Sequence, residues 1–364
     1  MASAVTGATF ERIPWAQVDW AHLDRYPDRS IFQTRAWVEF LADVQDAEPV
    51  VAVLRDGGDE LGFFTGLVVK RLGFRFLGSP LPGWTTPYMG FNLSPGVPRR
   101  QAVTALAEFA DRQLGCVHLE LRDRRLTAED VTGLEFGRRR DVGYDDRTFE
   151  IDLSPREDAV FAGMNSACRR AIRKAEKSGV VIEEATDPEF AGEFYDQLRE
   201  VFVRQGLVPT YGIDRVRALI RHLQPAGMLL LLRARDAEGR CIATGIFPAF
   251  GEMMFFWGGA SYRAHQHNRP NEAMHWHAIR YWKQRGVTRY DLGGFMDYKE
   301  KYGGVEVSIP GFRRSRHAWV AIARTAAPSG MRAKQAIVGH TSRGLRAAVS
   351  RLTHLTPQTE DVTG

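Results

Sequence analysis

The sequence is short of paired cysteines, of long apolar runs and of any leader segment, and each shortage removes a class of protein. Its three cysteines, Cys116, Cys168 and Cys241, are odd in number, far apart and without CxxC spacing. A disulfide framework is therefore excluded and buried free thiols are expected. His265, His267, His275 and His277 cluster, but HxH spacing without neighbouring cysteine falls short of a zinc ligand set, so no metal is expected. No segment approaches the roughly 18 consecutive apolar residues of a spanning helix, and the apolar run at 228–232 reads as a buried strand. Residues 1–20 have neither the basic head nor the apolar core of a secretory signal, which points to a cytoplasmic protein.

What is present suits an ordinary folded enzyme. Hydrophobic residues at 44% and charged residues at 26% supply a packed core, so disorder is not the expectation. At roughly 100–200 residues per domain the chain is long enough for two. The net charge of +5 is uneven: residues 307–364 hold nine Arg/Lys against Glu360 and Asp361, leaving the remainder slightly acidic. Within that tail Ile337, Leu345, Val349 and Leu352 form a partial apolar stripe. It reads either as a peripheral contact with an anionic membrane surface or as a solvated tail. Few aromatics interleave the basic residues, which argues against a nucleic-acid clamp.

The order of elements repeats. A helix is predicted over 34–45, where Trp37, Phe40 and Leu41 share a face, followed by strands at 50–54 and 63–69 around Asp56-Gly57-Gly58. A strand at 74–77, a Pro/Gly-rich loop, a helix at 99–114 ended by Gly115 and a strand at 117–121 complete the first unit. The second runs through helices at 187–205 and 214–223, strands at 228–234, 241–247 and 253–257, a helix at 271–285 and a strand at 287–292. Aligning Gly115 with Gly286 sets Glu120 on Asp291. Such self-similarity predicts a duplicated α/β unit with mixed sheets, divided as 1–154, 155–324 and a basic tail at 325–364. A basic helix is expected at 164–179, stopped by Gly179.

Candidate chemistry gathers in the second unit. Tyr290-Asp291-Leu292-Gly293-Gly294 ends a strand in an acid and two glycines. Strand ends of open α/β sheets face the ligand crevice, so Asp291 could bind or deprotonate an amine while Gly293 and Gly294 admit a substrate to the backbone. Asp291 could equally cap a neighbouring turn. Tyr298-Lys299-Glu300-Lys301-Tyr302 follows, where Lys299 could hold a phosphate or an oxyanion and Lys301 reads as part of a solvated turn. Trp257 ends a strand before small residues, and Arg269-Pro270-Asn271 opens a helix whose free N–H groups could meet an anion, with Asn271 as its N-cap; a plainly packed helix is the alternative. Arg169 and Arg173 on the basic helix could face phosphates or only solvent.

Three stretches resemble the Fem family of peptidoglycan aminoacyltransferases and the related BioF-like acetyltransferases of the GNAT superfamily. They are RRAIRKAEKSG at 169–179, the segment 257–294 ending in YDLGG, and YKEKYG at 298–303. The resemblance implies two tandem GNAT-like domains facing a shared cleft, and transfer of an acyl group from a charged tRNA to an amine on a cell-wall precursor. It matches Lys299 to the motif lysine, associated with binding and catalysis at the donor end. Asp291 matches the strand-end acid, and Arg169 and Arg173 the basic helix, while Trp257, Tyr298 and Tyr302 lie in the matched stretches. The chain departs from the usual glycine-rich turn for coenzyme A, reading His267-Asn268-Arg269-Pro270-Asn271-Glu272-Ala273, and no heptads mark a tRNA-binding arm. Acyl-CoA and aminoacyl-tRNA therefore both stay open as co-substrates, with no permanently bound cofactor. The expected function is an N-acyltransferase acting on a primary amine of a small-molecule or lipid-linked envelope precursor or a polysaccharide sugar, with tRNA a further partner. The alternative is a degenerate pair that binds a nucleotide-sugar or RNA without turnover.

Overall fold

Alternating side chains sort the first sheet between two cores. The computed structural model describes residues 7–139 and 146–322, so the basic tail expected at 325–364 lies outside the described residues. β1 (Thr9–Ile13), β2 (Glu48–Asp56), β3 (Asp59–Arg71) and β4 (Phe74–Ser79) form an antiparallel meander, with β5 (Gly90–Leu93) paired to β3. Along β2, Val50, Ala52 and Leu54 enter one apolar cluster and Val51 and Val53 another, as the two-residue period of a strand requires. β6 (His118–Arg122) pairs parallel with β4, and β7 (Gly137–Arg138) closes the edge. The helix Arg35–Gln45 starts where the Thr34 hydroxyl accepts from the Trp37 N–H and stops at Asp46, which takes a left-handed conformation.

The second sheet repeats this plan. β8 (Arg147–Asp152), β9 (Val181–Glu184), β10 (Leu229–Arg235), β11 (Cys241–Phe250), β12 (Met253–Phe255), β13 (Gly258–Ser261), β14 (Arg289–Asp291) and β15 (Val305–Ser308) lie in the order β15-β8-β14-β12-β11-β10-β9, with β13 on β11. β12 runs parallel to β14 as β4 does to β6, and Asp291 pairs with Phe255 where Glu120 pairs with Gly78. The helix Pro270–Lys283 supplies the parallel crossover, packing Met274, Ala278 and Ile279 on the sheet.

The two sheets exchange strands. β8 lies between β15 and β14 of the second sheet, and β16 (Gly311–Ser315) returns to the first, antiparallel to β6 and β7. The boundary expected at 154 therefore falls after a strand of the second sheet, and the unit expected at 155–324 gives a strand to the first. A local reading of composition sees the Ser154-Pro155 turn but not the long-range pairing that assigns each strand. Between the sheets one apolar cluster joins Phe32, Trp37 and Tyr88 to Phe190, Leu219 and Phe255, so the halves share a core. The helices Arg35–Gln45 and Ile213–Leu223 pack together across it, and Asp43 pairs with Arg221 and His222.

Candidate active site at the junction of the halves

Two parallel strands part at the centre of the second sheet. The Phe256 N–H still donates to the Asp291 carbonyl at 2.9 Å, but the next donor, Trp257 N–H, turns to Ile246 on β11 at 3.1 Å. From there β13 follows β11 while the other chain bends away through Gly293 and Gly294, both at positive φ. A Cβ on Gly293 would sit 2.6 Å from the Phe256 carbonyl oxygen, so the splay closes too tightly at its apex for any side chain there. The opening leaves a wedge between strand ends, the place where open α/β sheets accept ligands.

Asp291 sits at that apex, almost wholly buried, and four donors converge on its carboxylate. Thr148 Oγ1 donates to Oδ1 at 2.6 Å and the Gly293 N–H at 2.9 Å; Arg124 Nη1 donates to Oδ2 at 3.0 Å and Tyr88 Oη at 3.2 Å. Those fill the roughly four lone-pair directions of a carboxylate. Burial raises the Tyr88 hydroxyl above its ordinary range, so it remains a donor. Arg124 also pairs with Glu150, and its guanidinium lies over the Tyr88 ring at 5.0 Å. Arg124 and Tyr88 belong to the first half, Thr148 and Glu150 to β8, and none was singled out in the sequence. Two signals were available: Asp123-Arg124-Arg125 directly follows the end of β6, the strand that β14 repeats, and Thr148 and Glu150 alternate on one strand face.

Lys299 grips the same turn from the other side. The short helical turn Asp297–Tyr302 points its ammonium back at the loop, where Nζ donates to the carbonyls of Leu292 at 2.8 Å, of Gly293, and of Gly294 at 3.4 Å. Burial lowers this amine's pKa to about 8, against the pull of Asp291 in the opposite direction. The turn fits because Gly303 ends it: a Cβ there would meet the Gly163 carbonyl oxygen at 2.5 Å. His275 lies behind, sharing a 2.6 Å hydrogen bond with the Tyr290 hydroxyl and packed against Phe256 and Tyr302. Burial, then the charges of Lys299 and Lys301, holds its pKa near 3, so the ring is neutral.

The remaining candidates divide. Trp257 stands in the splay against Tyr211 and Phe194, and its indole Nε1 is buried with no hydrogen-bond partner among the described residues. Tyr298 is half exposed beside the Lys299 and Lys301 ammoniums. Tyr302 is fully buried and packs in the core, so it offers a substrate no surface. Lys301 is no part of a solvated turn, since it pairs with Glu272 at 2.7 Å. Asn271 is not an N-cap: Arg269, exposed and left-handed, holds that place before Pro270, and Asn271 instead reaches Ser261 Oγ at 3.2 Å. Proline at the first helical position displaced the cap by two residues.

The basic helix, Ser166–Lys177, packs on the outer side of the second half. Arg169 is turned onto the carbonyls of Ala162 and Met164, where it closes a helix end. Arg173 lies over Phe161 and lines an open groove of about 780 Å³ with Trp276 and Lys283. Neither contacts the Asp291 cluster. A smaller cavity, of about 220 Å³, does adjoin it between the halves, lined by Tyr88, Arg124, Met253 and Arg289 among others.

Residues 163–302 match the family model described as an acetyltransferase (GNAT) domain. A 77-residue stretch is 38% identical to aminoacyltransferase FemB of Staphylococcus epidermidis, covering 20% of this chain and 18% of that protein. The whole fold is similar to that of FemX, with a TM-score of 0.67 and 14% identity over 81% of this chain and 94% of that one. A tandem GNAT protein from the clavulanic acid biosynthesis pathway is similar at a TM-score of 0.53 and 12% identity, over 85% and 99% of the two chains. These likenesses show the fold, two GNAT-like halves, and among the described residues no helix is long and apolar enough to cross a membrane. The stretch that matches the acetyltransferase (GNAT) domain model thus carries the splayed strands of the second half, and the fold around it is similar to that of FemX.

Proposed function

We propose that the chain transfers an acyl or aminoacyl group from an activated carrier to a primary amine of a cell-envelope precursor or polysaccharide sugar. The observation that carries this reading is the splay of β12 from β14 beside Asp291, with an arginine-lined cavity on the side of the first half. The wedge suits an extended donor arm with amide groups, which strand ends can pair. The cavity suits an acceptor approaching between the halves. Acyl-CoA and aminoacyl-tRNA are the two donor classes, and a lipid-linked acceptor accords with a chain working at the cytoplasmic membrane face.

Transfer is direct in this reading. The amine nitrogen bonds to the donor carbonyl carbon, the tetrahedral intermediate collapses, the carrier's sulfur or oxygen leaves, and the proton lost by nitrogen goes with it. Asp291 and Lys299 serve as positioning residues. The carboxylate has no acceptor direction left for an amine and the ammonium spends its donors on carbonyls, so together they set the Gly293-Gly294 turn that walls the wedge.

The test is an assay of the full chain with labelled aminoacyl-tRNA and with acyl-CoA against a UDP-linked muramyl peptide and an amino-sugar oligosaccharide. Labelled amide product, lost in Lys299→Ala, is the expected result. The same saturated pair favours a second reading, a binding protein without turnover. Calorimetric binding of an acceptor with no product from either donor class would establish that reading and discard the first.

A further inference from the structure

An apolar, basic-edged patch lies on the first sheet, outside the junction and independent of acyl transfer. β3 and β4 join through Leu72 and Gly73 alone, Arg71 pairing directly with Phe74. Both loop residues have positive φ, 50° and 80°, the geometry of a tight hairpin turn. Asparagine or glycine belongs at its first position; leucine there is strained, and this one is 96% exposed. Folding gains nothing from Leu72, so its apolar side chain points to a contact made outside the chain.

Three more exposed hydrophobic residues share the patch. Phe74 packs edge-on against Trp319, ring centroids 5.1 Å apart, and Ile322 follows Trp319 by three residues in the helical segment 318–322. Val320 is buried and fixes that segment, while Trp319 and Ile322 stay exposed at 50% and 71%. Lys70, Arg71 and Arg316 are exposed around them. The acids on this side are Glu48, held by Arg12 and Arg75, and Asp46. Beyond Ile322 the sequence continues for 42 residues with six Arg/Lys against Glu360 and Asp361.

We propose that this patch is a membrane-docking surface, with Leu72, Phe74, Trp319 and Ile322 entering the headgroup boundary of an anionic bilayer and the basic residues meeting its phosphates. The chemistry is that of interfacial attachment: a few apolar tips, one of them tryptophan, supported by positive charge. A second copy of the chain would place like charges face to face, which disfavours that occupant.

The experiment is sedimentation of the full chain with vesicles of phosphatidylcholine and with an equal mixture of phosphatidylcholine and phosphatidylglycerol. Binding is expected to the anionic vesicles only. Leu72→Asn should weaken it by about tenfold, the worth of withdrawing one leucine from an apolar phase, while raising thermal stability because asparagine suits the turn. Trp319→Gln should weaken it comparably. The proposal is overturned if wild type ignores anionic vesicles or if both variants bind unchanged, which would assign attachment to the tail. It also fails if Leu72→Asn instead abolishes a concentration-dependent dimer.

Discussion

Arg124 places Nη1 3.0 Å from Oδ2 of Asp291, joining residues 167 positions apart and from different halves of the molecule. Both side chains are largely buried, and removing the arginine takes away the positive charge that pairs with both Asp291 and Glu150. Arg124→Met should lower the free energy of unfolding by about 3–5 kcal/mol, the usual consequence of stranding a buried charge. Adding Asp291→Asn to that variant should recover part of the loss. Urea denaturation of the two variants tests this, and equal stability of Arg124→Met and wild type would remove the pair from the structural core.

Lys299 makes stability and activity diverge with pH. Its folded pKa is lowered to about 8 from an ordinary 10.5. Between those values the unfolded chain holds a proton that the native state has released, so this group's contribution to stability rises as pH increases through the window. The ammonium's third donor is lost over the same range, loosening the Gly293-Gly294 turn. Activity should therefore fall above pH 8 while the melting temperature, corrected with a Lys299→Met control, does not fall with it. A rate profile flat through pH 8 would free the turn from Lys299.

His275 contributes on the acid side. With a native pKa near 3 and an ordinary value of 6.5, the ring takes up its proton in the unfolded state first. Stability from this residue is complete above about pH 6.5 and declines by about 1.4 kcal/mol per pH unit as pH falls toward 3. His275→Gln should flatten that part of the profile in urea titrations at stepped pH. An unchanged slope would assign acid unfolding to the carboxylates.

Trp257 offers a buried donor that none of the described residues uses. Trp257→Phe removes the N–H without breaking a hydrogen bond, so stability should change by only about 1 kcal/mol, from the smaller ring. If the indole meets a ligand oxygen in the splay, KM for the donor should rise several-fold at constant kcat. A stability loss with unaltered KM would make Trp257 a packing residue alone.

Much of this was readable from local sequence signals. Trp37, Phe40 and Leu41 mark their helix by spacing, Asp56-Gly57-Gly58 marks its hairpin, and Gly115 and Gly286 mark the two helix ends that set the repeat. That Asp291 ends a strand and that Lys299 follows within reach of the same turn was legible, because strand-end acids and the YKEKYG stretch carry position in their neighbours. What escaped depends on distance. Tyr88 lies in an irregular loop, Arg124 looks like any basic residue after a strand, and Thr148 gains meaning only when β8 is set beside β14. Arg169 reads differently for the opposite reason: a basic helix advertises a phosphate site, yet that guanidinium donates to carbonyls at the end of the preceding helix.

The return of β16 to the first sheet also imposes an order on synthesis. A ribosome releases the chain from its N-terminus, and β6 waits for its antiparallel neighbour until residue 315 has emerged. The half made first is thus finished last, after the second sheet has been translated, and must stand with an open edge beside β6 in the interval. Nascent chains stopped before β16 should expose that edge to chaperones, and a nonsense codon near 310 should damage the sheet encoded farthest from it.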